Sequence, residues 1–133
     1  MDTNSNSAIR DVLDGASNVM MVSEIRVGHP TFQGAGFNPS AAGICTVSGS
    51  PANPSNRGRS WAYADIATNY AFSTLLPPNS PLPECYENSD YTNGAARSHH
   101  TGGVHIVLVD GAVRFVSDTL DLTTWRRLGN KSD

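Results

Sequence analysis

The sequence predicts an α+β fold, mainly an antiparallel β-sheet with long loops. Two short runs rich in Val, Ile and Leu flank Asp110-Gly111 near the C-terminus, which is the pattern of a β-hairpin. One segment after that hairpin combines a helix-capping residue with an apolar helical spacing. The 12 glycines and 8 prolines interrupt the rest of the chain, so we expect loops rather than long helices between the strands.

The first part of the chain passes from a polar end into a strand. Residues 1–8 are polar and are expected to be disordered, and residues 9–13 suggest a short helical turn. Asp14-Gly15 is a turn signal. The apolar run over residues 19–27 is short and rich in β-branched side chains, which favours a strand.

The middle of the chain has weak signals for regular structure. Residues 28–60 are predicted to be mostly irregular, a functional loop or a surface insertion, with a short strand only over residues 44–47. Residues 75–94 are turn-rich, and Pro77-Pro78 should hold the backbone extended. Between these segments, aromatic and apolar residues are expected to return to the core: Trp61, Tyr63, Ile66, Tyr70 and Phe72.

Asp110-Gly111 predicts a two-residue type I′ turn between strands over residues 104–109 and 112–116. In that register Val109 faces Ala112, and His105 lies beside Arg114. One face of the hairpin is then expected in the core and consists of Val104, Ile106, Leu108, Val113 and Phe115. The other, mixed face consists of His105, Val107, Val109, Arg114 and Val116.

A short helix is predicted after the hairpin. Asp121 can cap the segment LTTWRRL, and Gly129 follows it where a left-handed residue commonly ends a helix. Trp125 and Leu128 would pack this helix against the sheet. We therefore predict a disordered N-terminus over residues 1–8, a single globular domain over residues 9–129 and a tail over residues 130–133.

Charge and hydropathy argue against two classes of partner. The net charge is −3 and the nine Lys and Arg are dispersed, so no basic stripe is available to follow a phosphate backbone, and we predict no nucleic-acid partner. No run approaches the roughly 20 apolar residues that cross a bilayer, so we expect no direct membrane insertion by this chain. The first residues also lack the pattern of an export signal.

No residue pattern specifies a reaction, so we predict no enzyme activity, no catalytic residues and no cofactor. The chain has no G-x-S-x-G nucleophile motif and no C-x-x-C pair. We predict no metal site, although His99 and His100 are candidate ligands. Asp110 is a poor partner for them, because it would lie roughly 17 Å of strand from His105. A calcium site at Glu84, Glu87 and Asp90 is an alternative to a solvated acidic loop there.

Cys45 and Cys85 are the two cysteines of the chain. They fit either two separate buried thiols or one disulfide, and a disulfide would require an oxidising compartment.

Several ordered motifs carry a resemblance to a known family. They are DVLDGASNVMMVSE, NRGRSWAYAD, FSTLLPPNSPLPEC, and His100 followed after nine residues by Asp110-Gly111. Together they resemble a planctomycete family of pilin-like, type II secretion pseudopilin-like proteins that contain a domain of unknown function. The matching residues that we single out are Asp14, Gly15, Ser17, Asn18, Glu24, Trp61, Pro77, Pro78, Asn79, His100, Gly102, Gly103, Asp110, Gly111, Arg114, Phe115 and Trp125.

The resemblance implies a pilin-like globular head with a structural or interaction role at the cell envelope, with a protein partner or self-assembly. It also implies an extracytoplasmic location, in which Cys45 and Cys85 would be bridged. The prepilin-type N-terminal helix of the family does not precede the Asp-Gly motif here, and if Met1 is the true start the chain would be cytoplasmic. The alternative function is a soluble cytosolic ligand- or metal-binding module.

Overall fold

Two small sheets and one helix make up the regular structure of the computed structural model, which describes residues 8–33, 57–58, 72–87 and 91–132. A 3₁₀ turn over Ile9–Asp11 precedes the first strand, close to the predicted helical turn. The elements that follow are β1 (Met20–Ser23), β2 (Thr31–Gln33), β3 (Glu84–Glu87), β4 (Tyr91–Thr92), β5 (Gly103–Leu108), β6 (Val113–Ser117) and α1 (Leu122–Leu128). The predicted fold class, α+β with mainly antiparallel sheet, is confirmed.

The first sheet has the strand order β1-β5-β6, and both of its strand pairs are antiparallel. Its central strand alternates as an amphipathic strand should: Val104, Ile106 and Leu108 are buried, and the residues between them are half-buried. The buried side chains form one cluster with Met20, Ala96 and Trp125. Burying each large aliphatic side chain stabilises the fold by about 1.5–3 kcal/mol, so this cluster is the main core of the described residues.

The hairpin turn differs from the prediction by one residue. Val107 pairs with Val113, and the Leu108 amide donates to the carbonyl of Ala112 over 2.9 Å, so the loop contains three residues and not two. Gly111 has φ +87°, but Asp110 does not have a positive φ. The type I′ turn is therefore wrong, because only Gly111 takes the left-handed conformation, as in a three-residue hairpin loop.

The shift turns the side chains of β6 to the other face of the sheet, because the side-chain period of a strand is two. Val113 and Phe115, which were expected in the core, are 65% and 50% exposed. Ala112 and Val116 pack against the core in their place. His105 does not share a face with Arg114 as expected, since His105 pairs with Phe115 and Arg114 pairs with Ile106.

β1 begins as predicted but ends earlier. Gly15 has φ +90°, and the Asn18 amide donates to its carbonyl, which confirms the Asp14-Gly15 turn. The strand then covers Met20–Ser23 and not the whole of 19–27. It ends there because the Glu24 carbonyl accepts a hydrogen bond from the amide of Arg97, outside the β1–β5 ladder.

The second sheet lies where the sequence predicts loops. β2 pairs with β3 in parallel, and β3 pairs with β4 in an antiparallel manner. These strands have only two to four residues each, too few for an alternating pattern to be visible in the sequence. The strand predicted over residues 44–47 and the aromatic residues before Phe72 lie outside the described residues, while Phe72 packs against the core as expected.

A buried ionic centre connects β3 of this sheet to the loops beside it. The side chain of Glu84 is fully buried and forms ion pairs with Arg57, at 3.2 Å, and with Arg97. Arg97 also donates to the carbonyls of Ser80 and Leu82. Burial lowers the pKa of Arg57 despite its carboxylate partner. Both sequence-based interpretations of Glu84, a calcium ligand and a member of a solvated acidic loop, are wrong, because its carboxylate is buried between two guanidinium groups.

The C-terminal helix follows the prediction except at its last residue. Asp121 caps α1 by accepting a hydrogen bond from the Thr124 amide, which lowers the pKa of Asp121. Trp125 is fully buried and donates from Nε1 to the carbonyl of Leu76 over 2.8 Å. Gly129 has φ −86° and not the expected left-handed conformation. A glycine is required there for space, since a Cβ would lie 2.4 Å from Cγ2 of Thr74.

Within residues 8–33, 57–58, 72–87 and 91–132, no helix has both the length and the apolar character that crossing a lipid bilayer requires.

Candidate functional site

The residues of the His-(nine residues)-Asp-Gly motif lie at both ends of the hairpin. Asp110 and Gly111 form its tip, where the Asp110 carboxylate accepts a hydrogen bond from the Ala112 amide over 2.9 Å. Gly102, with φ +84°, and Gly103 lie at its base, next to His100. The six residues of β5 separate the two ends, so the motif does not bring His100 and Asp110 into one site.

The base of the hairpin is held by two polar side chains. Asn79 donates from Nδ2 to the Gly103 carbonyl over 3.1 Å, and its Oδ1 accepts from the Ser98 amide over 2.9 Å. The Ser98 hydroxyl donates to the same carbonyl over 2.6 Å and accepts from the His100 amide. Gly103 is needed because a Cβ there would lie 2.1 Å from the Val116 carbonyl oxygen. These contacts give Asn79, Gly102 and Gly103 structural roles.

Other motif residues are also used in the framework. Asn18 donates from Nδ2 to the Asp14 carbonyl over 2.8 Å, which closes the first turn. Pro78 is fully buried, and the Pro77 carbonyl accepts from the amide of Ser80. Ser17 and Arg114 are exposed on the surface. Trp61 lies outside the described residues.

A cluster of three potential metal ligands lies on the outer side of the first sheet: Glu24, His100 and His105. Oε1 of Glu24 is 3.2 Å from Nε2 of His100 and 3.5 Å from Nδ1 of His105. The two imidazole rings are nearly perpendicular, with centroids 4.8 Å apart. The ligand atoms of all three side chains lie within 4.8 Å of one another. We call this group the Glu-His-His cluster.

The first sheet positions the cluster. The Glu24 amide donates to the His105 carbonyl just beyond the β1–β5 ladder, which places the two residues side by side. The His105 amide in turn donates to Oε2 of Glu24 over 2.8 Å, leaving Oε1 directed at the two rings. Phe115 stacks edge-on against His105 at 5.2 Å and against His100 at 6.5 Å. The register of β6 therefore supplies an aromatic wall for the cluster.

The cluster is open to solvent, and its neighbouring groups favour the ionised form of the Glu24 carboxylate. The side chains of Glu24, His100 and His105 are 34%, 52% and 43% exposed. Partial burial alone would raise the pKa of Glu24, but the His105 backbone N–H and the neighbouring His100 together hold that pKa below its ordinary value. The arrangement provides one carboxylate oxygen and two imidazole nitrogens to an ion, or a hydrogen bond between Glu24 and His100 when no ion is bound.

Sequence reasoning found only part of this cluster. The sequence suggested His99 and His100 as the candidate pair, whereas the structure groups His100 with Glu24 and His105. His99 is not a member of that group, although it lines a polar surface cavity of about 330 Å³ together with His100. Glu24 was noted as a motif residue without a role. Its contact with His105 spans 81 residues of sequence and depends on the β1–β5 register, which no local pattern encodes.

Cys85 is fully buried and disulfide-bonded. Its expected partner, Cys45, lies outside the described residues, so the pairing of Cys45 with Cys85 stays a prediction.

Comparisons with known proteins place the chain in a family. A search of curated proteins and a search of solved structures each find no match. The model of the family SBP_bac_10, described as "protein of unknown function (DUF1559)", matches residues 1–123. This confirms the expectation of a family with a domain of unknown function. The chain therefore belongs to the DUF1559 family.

Proposed function

We propose that this chain is a non-enzymatic structural or interaction domain of the cell envelope, built like the head of a pilin-like protein. The observation that carries the proposal is the outer face of the first sheet, on the side away from the core. The outer face consists of Val22, Val107, Val113 and Phe115. It is the surface on which a partner protein would bind.

The outer face is apolar where a solvated sheet face is ordinarily polar. Val107 pairs with Val22 on one side and with Val113 on the other, so three valines form a row across all three strands. Val22 is 47% exposed, Val113 is 65% exposed, and Phe115 extends the patch towards the Glu-His-His cluster. Contiguous exposed apolar side chains of this kind are typical of protein interaction sites. A partner with its own apolar surface, from a second copy or another protein, would remove these side chains from water.

The use of the motif residues supports a non-enzymatic role. Asn79, Gly103, Asp110 and Gly111 make or permit backbone contacts that hold the hairpin. The motif is thus a fold signature that fixes which side chains of β6 are displayed.

The disulfide supports the envelope location. A buried, bonded Cys85 is typical of proteins that fold in oxidising compartments, since cytosolic reductants keep most thiols reduced. The resemblance of the sequence motifs to pilin-like proteins points to the same compartment. The net charge of −3 gives no reason to expect a nucleic-acid or anionic-lipid partner.

Site-specific photocrosslinking in the native cells tests the interaction role. A photoreactive amino acid would replace Val113 in the outer face, and a matched control would carry it at the exposed Lys131 beyond α1. We expect a discrete crosslinked protein band from position 113 and none from position 131, and mass spectrometry would identify the partner as a second copy or another protein. Equal labelling from both positions, or no adduct from either, would overturn the proposal.

A further inference from the structure

We infer that Glu24, His100 and His105 form a binding site for a divalent transition-metal ion, with Zn²⁺ as the first ion to test. This site is independent of the proposed interaction role, because it requires neither a partner nor a particular compartment. It also differs from the histidine pair that the sequence suggested, since His105 and Glu24 replace His99.

The distances suit tetrahedral coordination. Zn²⁺ binds imidazole nitrogen and carboxylate oxygen at about 2.0–2.2 Å, which places neighbouring ligand atoms about 3.4 Å apart in a tetrahedron. Oε1 of Glu24 lies 3.2 Å and 3.5 Å from the two histidine nitrogens, so two of the three ligand pairs already have this spacing. The largest separation in the cluster is within 4.8 Å, so the histidine nitrogens need to approach by no more than about 1.4 Å.

The cluster is partly organised before an ion binds. The His105 amide fixes Oε2 of Glu24 and thereby orients the carboxylate, and outer hydrogen bonds of this kind strengthen metal sites. Phe115 limits the ring positions of both histidines. The small adjustment that remains falls to His100, whose side chain is 52% exposed and is free of the sheet ladder.

The donor set selects the class of ion. Two imidazoles and one carboxylate suit Zn²⁺, Ni²⁺ and Cu²⁺, whereas Ca²⁺ and Mg²⁺ require more oxygen ligands than this cluster supplies. Three protein ligands leave a fourth position for water or for a donor from another molecule. Because all three side chains are open to solvent, an ion can enter without any opening of the fold.

Isothermal titration calorimetry with ZnCl₂ tests this site on the full chain at pH 7.5. The protein would first be treated with a chelator, and thiol titration would confirm that no free cysteine contributes to binding. We expect saturable binding of one Zn²⁺ per chain. Glu24→Gln and His105→Gln should each weaken this binding by at least about tenfold, since each removes a ligand. The matched control His99→Gln removes a neighbouring exposed histidine that is outside the cluster and should leave the affinity unchanged.

Imidazole NMR keeps the test valid if a variant fails to fold. In the unsubstituted chain, adding Zn²⁺ should shift the ring resonances of His100 and His105 and leave those of His29 and His99 unchanged. Absence of saturable binding, an equal loss of affinity in His99→Gln, or ring shifts confined to His99 would each overturn the inference.

Discussion

The three-residue hairpin loop decides which face of β6 is displayed, and two threonine substitutions test it. Val104→Thr and Val113→Thr both replace a methyl group with a hydroxyl of nearly the same size, one on each strand of the hairpin. In the structure Val104 is fully buried and Val113 is 65% exposed. With the two-residue loop that the sequence suggests, both would be core residues.

The two substitutions should therefore differ in their effect on the free energy of unfolding. Burying a hydroxyl without a partner at Val104 costs about 1–3 kcal/mol, whereas a change at an exposed position such as Val113 stays within about 0.5 kcal/mol. With a urea slope of about 1.5 kcal/mol/M, a loss of about 1.5 kcal/mol lowers the urea midpoint by about 1 M. Far-ultraviolet circular dichroism would follow the unfolding with the disulfide intact.

A third substitution controls for how strongly any change to a buried side chain of β5 lowers the free energy of unfolding. Ile106→Val removes one buried methylene and should cost about 0.5–1.5 kcal/mol. Equal midpoint losses in Val104→Thr and Val113→Thr would refute the register and, with it, the apolar outer face on which the proposed function rests.

Three further predictions concern the buried ionic centre, the hairpin base and the Glu-His-His cluster. Glu84→Gln leaves Arg57 and Arg97 without their buried carboxylate, so we expect a loss of about 3–5 kcal/mol in urea unfolding, and a loss below about 1 kcal/mol would contradict this role. Gly103→Ala places a Cβ against the Val116 carbonyl and should lower the melting temperature more than Gly111→Ala does. The Cβ of Gly111→Ala meets open space, so its cost comes only from the positive φ of that residue. The reverse order of melting temperatures would show that the hairpin base is not tightly packed. Because the pKa of Glu24 is lowered in the fold, its carboxylate stabilises the chain above its ordinary pKa, and this contribution disappears as the pH falls through the lowered value. Glu24→Gln should therefore flatten the decline in unfolding free energy as the pH falls below the ordinary pKa of a glutamate, and an unchanged acid limb would contradict the assignment.

The hairpin shows how much of the fold local sequence can specify. The alternation of Val104, Ile106 and Leu108 predicts the buried face of β5 correctly, because the side-chain period of a strand is independent of the turn. The face of β6 depends on the loop length, and Asp110-Gly111 is compatible with two- and three-residue loops. Asp110 does not adopt positive φ, so the longer loop forms and Val113 and Phe115 turn outward.

The candidate site was less predictable than the fold because its contacts are long-range. Asp121 and the helix it caps follow from residues three positions apart, and that prediction is confirmed. By contrast, Glu24 meets His105 across 81 residues of sequence, through a ladder between β1 and β5 that is not visible in either strand alone. The role of Glu84 was hidden for the same reason, since an acidic residue in a turn-rich segment ordinarily indicates a solvated loop.

Fractionation of the native cells tests the central claim, a structural or interaction domain of the envelope, most directly. An antibody to this domain would detect the protein in cytosolic and envelope fractions, and alkylation with a polyethylene-glycol maleimide before and after reduction would count its free thiols. We predict an envelope protein that reacts with the maleimide only after reduction. A cytosolic protein with both thiols reactive before reduction would contradict the envelope proposal and favour a cytosolic binding module.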